Sequence, residues 1–108
     1  VNVLEQVVRT EPTPVAYERL GAGLFRLRRY EESVGAFRKA VEIDPNHYPA
    51  LNGVGVNMLN AWVWSEGKDE GAREEGLRAL RRSLQVEPRQ PRIIDLVNRY
   101  ARGVQHQQ

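Results

Sequence analysis

"YERLGAGLF", Tyr17 to Phe25, returns 34 residues later as "LNGVGVNML", Leu51 to Leu59. Both copies read apolar, x, x, apolar, Gly, x, x, apolar: Tyr17, Leu20, Gly21 and Leu24, then Leu51, Val54, Gly55 and Met58. That spacing lays the named residues along one stripe of an amphipathic helix. A glycine inside a helix costs about 1 kcal/mol relative to alanine. Its return at the same register predicts a neighbouring helix too close to admit a side chain.

A second element recurs between and around these copies. "LEQVVRTEP" (4–12), "FRKAVEIDP" (37–45) and "LRRSLQVEP" (80–88) each end in an acidic residue and a proline. Proline lacks a backbone donor and disfavours helix in the residue before it, so these are three helix C-terminal ends. Thr13 before Pro14 suits a helix start, as does Pro91. The spacings predict helices near 2–10, 14–28, 30–43, 47–64, 69–86 and 90–104.

Residues 14–47 resemble the tetratricopeptide repeat, a helical hairpin of about 34 residues. Tyr17, Leu20-Gly21 and Leu24 stand at the first signature positions, Tyr30 at the turn and Ser33 at the small-residue position; Phe37, Ala40 and Pro45 follow. The resemblance implies an all-α, right-handed stack of antiparallel helix pairs. Residues 1–12 would close a preceding unit, 14–47 form one repeat and 48–90 a second, 91–104 a capping helix and 105–108 a tail. The cap carries Ile93, Ile94, Val97, Tyr100, Ala101 and Val104 at spacings of three and four. The second repeat spans 43 residues from Pro45 to Pro88, about nine too many. The excess lies between Met58 and Gly76, where "SEGKDEG" supplies a turn, and would lengthen both helices by about one turn.

Composition sets the outer limits. The 108 residues are 41% apolar and 28% charged, enough for one domain with a modest core. No apolar run approaches the roughly 20 residues of a membrane span. The absence of cysteine excludes disulfides, thiolate metal sites and a cysteine nucleophile. The chain begins at Val1 without a signal-peptide pattern and reads as a fragment or processed product; a cytoplasmic setting is favoured only through that missing signal, and the compartment stays open. Of 16 basic residues 14 are arginine, but 14 acidic residues nearly cancel them. Nucleic acid is not an expected partner: acidic residues share the helices of Arg78, Arg81, Arg82, Arg92, Arg99 and Arg102, and no stacking aromatics lie beside them.

Catalysis and cofactors find no support. His47 and His106 lack neighbouring partners for a triad or a metal. The G-x-G pairs follow no strand, and Glu31-Glu32 and Glu74-Glu75 diverge around their helices. The resemblance points instead to a non-catalytic protein-interaction scaffold whose first helices line a concave groove for a peptide or partner helix. By register that face carries Glu18, Ala22, Phe25 and Arg26, then Asn52, Val56, Leu59 and Asn60, then Asp95, Arg99 and Arg102. The carboxylate clamp of chaperone-binding members would fall on Glu18, Ala22, Gly53, Arg92 and Leu96. Only Arg92 keeps the charge, so chaperone tails are not expected partners. A docking segment of a larger enzyme or secretion machine is an alternative. Self-assembly is another, because Val3, Leu4, Val7 and Val8 would lack a partner helix.

Both tryptophans sit in the insertion. Trp62 continues the core stripe and should pack on Ala72 and Gly76. Trp64, rotated by about 200°, falls on the side of Asn57, Asn60 and Ala61, as a surface residue, a contact to a neighbouring helix, or a docking anchor.

Overall fold

The computed structural model describes residues 1–102; Val104, His106 and the 105–108 tail lie outside them. Six helices and no strand make up the described residues: α1 (Asn2–Thr10), α2 (Pro14–Arg26), α3 (Tyr30–Ile43), α4 (Tyr48–Trp64), α5 (Glu70–Val86) and α6 (Pro91–Ala101). Contacts join consecutive helices, most extensively α4 with α5 and α2 with α3, and α2 also touches α4. This is an all-α helical-repeat solenoid in which α2, α4 and α6 are the first helices of successive pairs.

The boundaries have local causes. Thr13 Oγ1 accepts the Ala16 N–H at 3.1 Å, and Asp69 Oδ1 accepts the Ala72 N–H at 3.0 Å, capping α2 and α5. α2 stops at Arg26, two residues short of the reading from sequence, because Arg28 turns left-handed at φ 61°. Its N–H then meets the Phe25 carbonyl at 2.9 Å and the Arg29 N–H meets Leu24 at 3.0 Å, a Schellman end. α4 ends the same way: Glu66 sits at φ 59°, with Glu66 N–H on Val63 and Gly67 N–H on Trp62, both 3.0 Å.

The recurrent glycines are contact points. A Cβ on Gly21 would lie 2.9 Å from the Phe37 ring of α3, and one on Gly55 would collide with Leu80 of α5. Phe37 follows Gly21 by sixteen residues and Leu80 follows Gly55 by twenty-five, so the same contact survives a nine-residue insertion. The insertion adds four residues to α4 relative to α2, three to α5 relative to α3, and two to the turn. Phe37 also covers Gly53 of α4, so one ring seats against both first helices.

The core has three parts: Val8, Leu20 and Leu24 under α1; Phe37, Ala40 and Val54 in the middle; Leu59, Leu77 and Leu80 beneath α6. This corrects two expectations. Leu4 and Val8 do have a partner, in α2, and only Val3 and Val7 face outward. Leu59 is not a groove residue: it is 2% exposed, held in the last cluster.

Trp62 is 4% exposed, but its ring partner is on the capping helix. Tyr100 meets it edge-on at 5.9 Å and the Arg73 guanidinium lies 5.8 Å from its centroid. Gly76 lies instead against the Gly55 carbonyl and Leu59. Arg73 also donates from Nε to the Tyr100 carbonyl and from Nη2 to the Ala101 carbonyl, both at 3.0 Å. Both carbonyls lie in the last turn of α6, where the helical hydrogen-bond ladder runs out; the Tyr100 carbonyl also accepts the Arg102 N–H.

Candidate functional site

Between α2 and α4 lies a cleft of about 320 Å³, walled by Ala22, Phe25 and Arg26 on one side and Asn52, Gly53 and Val56 on the other, with Phe37 at its floor. Between α4 and α6 lies a second of about 380 Å³, where Asn52 and Val56 face Arg92, Ile93 and Leu96. Asn52 and Val56 border both, so the two clefts form one groove across the three first helices.

A polar chain sets the middle of this groove. Gln90 Nε2 donates to Ser83 Oγ at 2.9 Å and to the Glu87 carbonyl at 2.8 Å, which leaves Gln90 Oε1 to accept from Asn52 Nδ2 at 2.8 Å. With its donor end spent in this way, Asn52 keeps a buried acceptor, Oδ1, that has no hydrogen-bond partner among the described residues. The turn bearing Gln90 is itself held. Glu87 accepts the Arg89 N–H at 2.9 Å and its Nε at 3.2 Å. Those two hydrogen bonds, then the arginine charge, hold the Glu87 carboxyl below the usual carboxylate range.

Of the residues predicted for the groove, Ala22, Phe25, Arg26, Asn52 and Val56 are brought together. Glu18 is spent on His47, whose Nε2 lies 2.8 Å from Glu18 Oε1, tying α2 to the start of α4. Asn60 is half-buried and borders neither cleft. Asp95 and Arg99 pair with each other at 2.9 Å, and Arg102 donates to the Asn98 carbonyl at 3.4 Å; all three are exposed and border neither cleft. A groove between two helices is lined by the forward face of one and the backward face of the next. Register copied from α2 finds the forward face of α6, whereas the groove meets its backward face, Arg92, Ile93 and Leu96. Gln90 and Gly53 carry the groove's order and depth; neither belongs to the face read by register.

Trp64 is 57% exposed, and its ring packs on Tyr30 of α3 at 4.8 Å, tilted by 49°. Tyr30 in turn meets Phe25 edge-on at 5.3 Å, so an aromatic row joins the groove wall to the inserted end of α4. No helix among the described residues is long and apolar enough to cross a membrane.

A family model described as tetratricopeptide repeat matches residues 14–47, the α2–α3 hairpin with its flanking turn. No curated protein matches the chain. Repeats of that family generally mediate protein–protein interaction and are typically non-catalytic modules.

Proposed function

We propose that this chain, a member of the tetratricopeptide repeat family, is a non-catalytic scaffold that receives an extended peptide or partner helix along the α2–α4–α6 groove. The observation that carries this reading is the sharing of Asn52 and Val56 by two clefts, which makes one continuous track from Arg26 to Arg92. Ala22, Phe25 and Val56 offer an apolar seat along the groove. Arg26 and Arg92 make no ion pair among the described residues, so acidic groups at the two ends of the ligand would complete the match.

The test is a peptide-library selection with the wild-type chain, repeated with Phe25→Ala and Arg26→Glu. Selected peptides should lose binding to both variants, while Arg99→Glu, outside the groove, should leave it intact. Selection indifferent to Phe25 and Arg26 would end the groove reading. A second reading is self-association through the outer face of α1, where Val3 is 75% exposed. Sedimentation showing only monomer at high concentration counts against it.

A further inference from the structure

The turn added to α4 makes a further cleft. It measures about 580 Å³ and opens between the start of α3 and the end of α4, floored by Val34 and Met58 and flanked by Tyr30 and Trp64. Trp64 belongs to the four residues by which α4 exceeds α2, so a hairpin of ordinary length would lack this wall. Asn57 is 5% exposed and spends Nδ2 on the Gly53 carbonyl at 3.0 Å and on Ser33 Oγ at 3.2 Å. Its Oδ1 is buried without a partner among the described residues. Glu31 makes no ion pair among the described residues. The cation on the rim, Arg38, is neutralised by Glu75 through contacts of 2.7 and 2.9 Å, and the same Nη2 lies 3.5 Å from Met58 Sδ. Two electron-rich aromatic rings and an unpaired carboxylate favour a positive group.

We propose that this cleft is a second docking site, specific for a lysine or arginine side chain presented by a partner polypeptide. The stem of that side chain lies along the rings of Tyr30 and Trp64, away from Arg38, and its charged head meets Glu31 and the aromatic faces. An uncharged side chain of equal length would keep the floor and the rings but lose the electrostatic share. Because Glu31, Asn57 and Trp64 border neither cleft of the groove, this site stands or falls independently of the groove ligand.

The experiment titrates the ¹⁵N-labelled chain with the blocked tripeptide Ala-Lys-Ala, and separately with the same peptide acetylated on the lysine. The charged peptide should move the Trp64 indole and Asn57 side-chain signals saturably. Acetylation should weaken it about two- to thirtyfold, the span expected for a cation held on aromatic faces. Glu31→Gln should weaken only the charged peptide, and Trp64→Leu should remove the preference between the two. Equal affinity for both peptides would overturn the proposal. So would the absence of saturable shifts, or shifts confined to Asn52 and Gln90 with Trp64 silent.

Discussion

The two hairpins, α2–α3 and α4–α5, begin from one register and close differently. In the first, Ser33 stands where the helices meet, and its hydroxyl donates to the Gly21 carbonyl at 2.7 Å. In the second the equivalent residue is Gly76, and a Cβ there would lie 3.0 Å from the Gly55 carbonyl. A hydroxyl spaces one pair of helices; the other brings backbone to backbone. The closer pair is also the longer one, and its extra turns would hang free without a tether. Arg73 and Trp62 supply the tether by gripping the end of α6. One repeat pattern thus tolerates either a polar spacer or bare backbone, provided a longer hairpin finds a new support at its tip.

The sharpest way to break this contrast is to add a methyl group at the two glycines. Gly55→Ala should cost about 3 kcal/mol, because its Cβ meets both Leu80 and, at 3.2 Å, the Gly76 carbonyl, and backbone cannot turn aside. Gly21→Ala should cost less, about 1–2 kcal/mol, since only the Phe37 ring must shift. Urea denaturation would measure both. Equal costs would mean that backbone approach does not distinguish the hairpins.

The tether is the next test. Arg73→Ala removes the side-chain donors to the Tyr100 and Ala101 carbonyls and the cation from Trp62, an expected loss of about 1–2 kcal/mol. Hydrogen exchange should show protection falling first in α6, with α2 and α3 unaffected. Uniform loss along the chain would show that α6 is held by its apolar face alone.

Much of this architecture is legible in the chain because it rests on fixed spacing. Gly21 and Gly55 announce close packing at an offset of 34, and the surplus between Met58 and Gly76 announces the lengthened hairpin. Rotation about a helix axis is harder to read. Leu59 occupies the register of Phe25, yet the tight α4–α5 approach turns it into the core with Leu77 and Leu80. The α6 wall is displaced for a similar reason: its contribution depends on which neighbour it faces. Long-range partners leave no periodic trace at all. Arg73 reaches a carbonyl 27 residues away, and Trp64 finds Tyr30 only because α4 has grown past the first turn.

A smaller effect should appear where the two hairpins agree. Both Schellman ends place a side-chain-bearing residue in the left-handed region, Arg28 at 61° and Glu66 at 59°. For most L-residues that conformation costs about 1 kcal/mol, and glycine avoids it. Arg28→Gly and Glu66→Gly should therefore each raise stability by up to about 1 kcal/mol, seen as a higher thermal midpoint. A gain at one site and not the other would mean that the side chain there makes a compensating contact that the shared backbone geometry conceals.

The smallest expected effect is electrostatic, and it too compares the hairpins. Glu32 enters the first hairpin's second helix, and hydrogen bonds from Arg29 at 2.7 and 2.8 Å, then its charge, lower the Glu32 carboxyl. Glu87 leaves the second hairpin and is lowered chiefly by the Arg89 backbone N–H. A carboxyl whose folded pKa is depressed stabilises the fold above its unfolded value, and that contribution fades as pH falls through the lower, folded value. Arg29→Ala should return Glu32 to the ordinary range and remove its share of the acid dependence. Arg89→Ala should leave Glu87 still lowered, because the substitution keeps the backbone donor. Side-chain carboxyl ¹³C titrations of the two variants would separate a pair made by side chains from one made by the chain itself. Equal reversion at both positions would contradict that division.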